Sequence, residues 1–200
     1  MADISAQKAG LWVISALLLT GGILFIGCQI SDEIWRLFGE NELLRITDTW
    51  GNGRGTLWRV GWGSYVKEGI LRQLAGAGPD CFINVVYKWY PLNDLMHAHG
   101  QWENALYANA HNEWLNMLIN QGILGLMAYA GIFITLFIRL CREQKGKPFA
   151  LLGMLAVSGY CVYGMVSFQQ VLSTPLIFAV MGISEAFLRI SKRTSFPSFA

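Results

Sequence analysis

Charge is what this sequence has least of. Only 14% of its 200 residues are Asp, Glu, Lys or Arg, against roughly 25% in typical soluble domains. Hydrophobic residues make up 54%. That balance disfavours a solvated globular surface and suits helices in lipid. Cysteine is also sparse. Cys28, Cys81, Cys141 and Cys161 form no CxxC pair, and three of them lie in or beside apolar runs, where cysteine acts as a small hydrophobe. No disulfide framework and no zinc site follows from them. No repeat of fixed period occurs. The net charge of +2 excludes little; where the positive charges sit says more.

Four apolar runs stand out, at residues 10–30, 114–140, 149–168 and 171–188, the last interrupted by Pro175. Each approaches the roughly 20 residues that cross a hydrocarbon core. The first carries no charge, is long for the core of a signal peptide and lacks a small-x-small cleavage site, so a retained helix is expected. Arg139, Arg142, Lys145 and Lys147 follow the second run, and Arg189, Lys192 and Arg193 follow the fourth. Positive charge marks the cytoplasmic side. The uncharged connection at 167–174 then lies outside, both termini lie inside, and Lys8 agrees.

These readings predict an all-α, polytopic membrane protein with about four helices. Its parts are an N-terminal membrane helix (1–30), a large extracytoplasmic, partly helical loop (31–113) and a three-helix membrane segment with a cytoplasmic tail (114–200). Within the loop, the spacing of Ile34, Leu37 and Phe38 predicts a helix along the membrane surface over residues 32–44. Residues 47–55 are rich in turn formers. Residues 56–74 read as an amphipathic helix, and GAGPD at 76–80 as a turn. Residues 87–102 are aromatic and irregular. Asn112 is placed to cap the second membrane helix.

The loop holds Arg45, Arg54, Arg59, Arg72 and all three histidines, His97, His99 and His111. Two readings of these residues stand. They solvate a loop and meet lipid headgroups, or they hold a phosphate-bearing partner, which guanidinium pairs in a bidentate way, with a histidine to move a proton. His97 and His99 lack a third ligand at a persuasive spacing, so no metal is expected. Trp102, Tyr107 and Trp114 read as interfacial anchors or sugar platforms. Nothing singles out Glu103 or Glu113. Gln169 and Gln170 face the outside and are open to a glycan. The runs lack acidic pairs, and Glu185 is the one acid inside an apolar run, which argues against a transporter.

In chain order the sequence gives GNGRGTLW (51–58), GAGPDCF (76–82) and AHNEWLNMLINQGILGLMAY (110–129). A basic loop and two closing helices follow. With its GR…W element, GxG…F turn and HN…L…GilG element entering a membrane helix, the chain resembles the C-terminal part of the O-antigen ligase and O-antigen polymerase family, from about residue 51 onward. The resemblance implies a glycosyltransferase-type enzyme of polysaccharide biosynthesis in the cell envelope. Such an enzyme moves a glycan from a polyprenyl-pyrophosphate carrier to a lipid, glycan or protein acceptor, on the outer face of the cytoplasmic membrane. It needs no cofactor, and no nucleic acid is involved. The resemblance carries catalytic roles to Arg54, as phosphate binder, and His111, as base or acceptor-orienting group. Arg59, Gly76, Gly78 and Asn112 stand as candidates for binding substrate. Gly76 and Gly78 equally suit a tight turn, and Asn112 a cap.

Family members carry about ten or more membrane helices, and their N-terminal half, with a further arginine, has no counterpart here. The alternative expectation is therefore a non-catalytic membrane subunit or a truncated remnant of such an enzyme, with a membrane protein partner supplying the rest.

Overall fold

A computed structural model describes residues 4–91, 108–143 and 148–194. All regular structure among them is helical: α1 (Ile4–Ile30), α2 (Asp32–Leu37), α3 (Trp50–Lys67), α4 (Ile70–Ala75), α5 (Phe82–Trp89), α6 (Glu113–Glu143), α7 (Pro148–Tyr163) and α8 (Ser173–Thr194). His97, His99, Trp102, Glu103 and Tyr107, like Lys145 and Lys147, lie outside the described residues. The chain forms two compact units, Met1–Thr56 and Leu57–Ala200. Packing thus divides it inside the polar segment, whereas polarity divides it at the segment's ends.

In the first unit, α1 leads into α2 through Ser31, whose side chain accepts the Ile34 N–H and caps the short helix. The Gln29 amide then ties down the returning chain: Nε2 donates to the Leu44 carbonyl at 2.7 Å and Oε1 accepts the Ile46 N–H at 2.9 Å. Arg45 pairs with Asp32 and stands over the Trp35 ring at 4.9 Å. The hydrogen bond and charge of Arg45 hold the Asp32 carboxyl below its usual range. The surface helix expected beyond Phe38 stops at Leu37 because Gly39 and Glu40 both adopt positive φ. Ile30, Leu37 and Leu43 are left exposed.

The second unit has two apolar centres. Val60 of α3, Phe82, Val85 and Val86 of α5, Ala110, and Ile119 of α6 form one. Phe133 and Leu140 of α6, Ala150, Val157 and Tyr160 of α7, and Met181 and Leu188 of α8 form the other. The amphipathic stretch 56–74 is two helices, not one, and bends where Glu68 and Gly69 separate α3 from α4. The buried Glu68 carboxylate holds the corner, accepting from Lys88 Nζ at 2.7 Å and Trp89 Nε1 at 2.9 Å.

Among the described residues, two helical segments are long and apolar enough to cross a membrane, Glu113–Glu143 and Ser173–Ile190. Pro175 sits in the first turn of α8, where its missing N–H is not needed. α7 ends at Tyr163 after 16 residues, a rise of about 24 Å, short of a ~30 Å hydrocarbon core. Leu124, Met127, Leu155, Val162 and Leu176 are exposed on these helices. At their other end Glu185 binds Arg139 at 3.0 Å and Arg189 at 2.7 Å.

Candidate functional site

The site begins with a break in α6. Gly122 has φ 69° and ψ −178°, a conformation open essentially to glycine alone. The ladder of helical hydrogen bonds opens there, and the GAGPD turn fills the gap. Ala77 N–H donates to the Ile119 carbonyl at 3.0 Å and Gly78 N–H to the Asn120 carbonyl at 2.9 Å. Gly76 N–H is bonded to the Arg72 carbonyl at 2.8 Å. Both glycines therefore brace the turn against α6, and both amide hydrogens are engaged within the protein.

The head of α6 is fixed from several directions. Asn112 caps it, its Oδ1 accepting the Leu115 N–H at 3.0 Å. Glu113 N–H donates to the Gly164 carbonyl at 2.7 Å, and Trp114 Nε1 to the Cys161 carbonyl at 3.2 Å. Trp58 Nε1 donates to the Ala110 carbonyl at 3.0 Å, just before His111. His111 itself has φ 46°. A non-glycine residue held there costs on the order of 1 kcal/mol or more, and such strain gathers at working sites. Asn109 Oδ1 accepts the His111 N–H at 3.0 Å, and the imidazole meets the edge of Phe168 at 5.0 Å between centroids.

Next to His111 and Asn112 lies a carboxylate to which the sequence reading assigns no role. Glu113 is 3% exposed. Its Oε1 accepts from the Tyr129 hydroxyl, from the Tyr160 hydroxyl at 3.1 Å and from Gln169 Nε2 at 3.4 Å. Gln169 also donates to the Tyr129 oxygen at 3.1 Å. Glu113, Asn116, Met117, Asn120 and Gln121 line a cleft of about 250 Å³, closed by Pro79 and Asp80 of the turn and by Gln169. Glu113 Oε2, Asn116 Oδ1 and Asn120 Oδ1 are buried without a hydrogen-bond partner. Leaving such an atom unmet costs about 1–3 kcal/mol. The spacing of 113, 116 and 120 sets all three residues on one helical face, a signal present in the sequence. The tyrosines and Gln169 are brought in from elsewhere and have no such local mark.

The remaining candidates fall elsewhere. Arg54 belongs to the first unit, directly after Gly51, Asn52 and Gly53, which have φ of 59°, 60° and 88°. It is half-buried and forms no ion pair with any described carboxylate. Arg59 is exposed on α3 in the second unit. Gly76 and Gly78 lie in the turn docked on α6, and Asn112 caps that helix. No family model, no curated protein and no solved structure matches the chain.

Proposed function

We propose that this chain is a membrane protein that transfers a glycan from a polyprenyl-pyrophosphate carrier, in the manner of O-antigen ligases and polymerases. Several observations support the reading. Two helices among the described residues have the length and apolar surface to cross a bilayer, and exposed Leu, Ile, Val and Met side chains along α6, α7 and α8 suit a lipid environment. Four membrane helices, both termini in the cytoplasm and the polar segment outside a cytoplasmic membrane complete the proposed topology, on the charge bias of the loops.

The observation that carries the chemistry is the His111-Asn112-Glu113 head of α6. A strained histidine stands two residues before a buried carboxylate that lines a cleft with amides and a second acid. Amide and carboxylate oxygens are the groups that meet sugar hydroxyls. The proposed roles follow. Arg54 binds the carrier's phosphate, offsetting the charge that grows on the leaving pyrophosphate. His111 orients or deprotonates the acceptor hydroxyl, and Arg59 assists with the carrier.

The test is transfer from a polyprenyl-pyrophosphate-linked glycan in membranes that contain the chain, its Arg54→Ala or His111→Ala variant, or neither. Chain-dependent transfer that falls about 100-fold or more in both variants, with the proteins still inserted, supports the enzyme. Undiminished transfer in both variants overturns these roles. No transfer by the inserted wild-type chain overturns the enzyme and leaves a non-catalytic subunit or remnant.

A further inference from the structure

The cleft on α6 holds more hydrogen-bonding capacity than the protein itself uses. Glu113 Oε2, Asn116 Oδ1 and Asn120 Oδ1 are all acceptors, all buried and all unmet, and their three residues line the same cavity. Glu113 and Asn120 are 3% and 6% exposed. Buried polar atoms are almost always paired, so three orphans of one kind in one cavity point to a ligand that brings donors. Glu113 and Asp80 disfavour an anion there. The carrier's pyrophosphate is therefore not the occupant.

Among donors, hydroxyl groups fit best. Asn116, Asn120 and Gln121 each carry an N–H donor as well as an oxygen acceptor. A hydroxyl, which both gives and takes a hydrogen bond, uses both. A bare cation would use the oxygens alone. At about 250 Å³ the cavity is far larger than the roughly 30 Å³ occupied by one bridging water.

The carboxylate is also held in place. Both tyrosine hydroxyls and Gln169 converge on Oε1, which fixes the group and leaves Oε2 as its unengaged atom.

We propose that this cleft seats the acceptor sugar and that Glu113 is a catalytic residue, whose Oε2 takes the proton of the attacking hydroxyl. The inference rests on the glycan-transfer reading above and assigns the proton to Glu113, leaving His111 to orient the acceptor. As the acceptor oxygen forms its bond to the anomeric carbon, its O–H bond breaks and the proton passes to Oε2. The bond between the anomeric carbon and the phosphate oxygen breaks in the same event. Its electron pair leaves on the carrier pyrophosphate. No other reactant is needed. Tyr129 and Tyr160 are positioning residues, acting through Oε1.

The experiment measures transfer by the full chain in lipid nanodiscs, from a fluorescent polyprenyl-pyrophosphate glycan and with acceptor varied. Glu113→Gln keeps an oxygen for the two tyrosines. It is expected to lower kcat about 100-fold or more while donor retention is unchanged. Glu113→Ala is expected to regain activity with added formate, which a structural role would not allow. Asn120→Ala is expected to raise the acceptor KM about tenfold and to move kcat less. If Glu113→Gln stays within about threefold of a working wild type, the inference falls and the transfer reading stands. If Glu113→Gln fails to fold, an unchanged acceptor KM in folded Asn120→Ala likewise overturns the inference. Absence of transfer by the wild type overturns both.

Discussion

Gly122 and Gly76 meet backbone to backbone: a Cβ on Gly122 would stand 2.5 Å from the Gly76 nitrogen and 2.3 Å from the Leu74 carbonyl oxygen. A Cβ on Gly76 would in turn fall 2.2 Å from the Asn120 carbonyl oxygen. The obstacles are main-chain atoms, which cannot rotate away as a side chain would. Both residues also occupy φ, ψ values open essentially to glycine. Gly122→Ala is therefore expected to cost about 3 kcal/mol or more. It should release the GAGPD turn from α6. Thermal unfolding in detergent, followed by protease sensitivity near residue 78, checks this. A midpoint within a degree of wild type would count against the docked turn.

Glu68 governs the response to acid. Burial alone would raise its pKa, but the hydrogen bonds of Lys88 and Trp89 and the charges of Lys88 and Arg72 outweigh burial and hold the carboxyl below its ordinary range. A carboxylate whose pKa is lower in the folded state stabilises the fold above its unfolded value, about 4.3. That stabilisation is lost as pH falls through the folded value. Unfolding measured from pH 7 to pH 3 should thus show a decline below about pH 4.3 that Glu68→Gln flattens. At pH 7 the same variant should lose about 1–3 kcal/mol, the value of hydrogen bonds to a charged group. An identical acid decline in both proteins would assign it to other groups.

Trp58 sets the approach to His111 from a different helix. Its indole N–H holds the Ala110 carbonyl at 3.0 Å, so Trp58→Phe removes one hydrogen bond, about 1 kcal/mol, and keeps an aromatic ring. Stability should change little. On the proposed glycan-transfer function, transfer should fall about tenfold or more, because small displacements of a reacting group are costly. Melting and transfer assays on one preparation separate the two effects. Equal transfer rates would show that His111 does not depend on this anchor.

Orientation can be read by labelling. Val171 and Leu172 are 91% and 84% exposed in the connection between α7 and α8, and the proposed topology places them outside. Arg142, exposed near the end of α6, lies inside. In a background with Cys28, Cys81, Cys141 and Cys161 replaced, Leu172→Cys should react with an impermeant maleimide in intact cells. Arg142→Cys should react only after the membrane is opened. The reverse pattern would invert the topology.

The positions of α6 and α8 were legible. Long apolar runs announce α6 and α8, because a 3.6-residue helix in lipid needs no polar face. Asn112 marks a helix start because its side chain reaches an N–H only three residues on. Local chemistry suffices for both. The short surface helix was legible only in part, since glycine at 39 permits a stop without announcing one.

What the sequence alone determined, then, was an all-helical chain with long apolar runs and a cap at Asn112. Tertiary structure decided the rest. Gly122 inside an apolar run reads as continuous helix until the turn at 76–78 supplies donors for the carbonyls of Ile119 and Asn120. Glu113 reads as one more acid near a helix start until Tyr129, Tyr160 and Gln169, 16, 47 and 56 residues away, close on a single oxygen and leave the other unmet. Periodicity and capping act over one or two turns of helix. A buried carboxylate's environment is made by distant segments that meet only when the chain is folded.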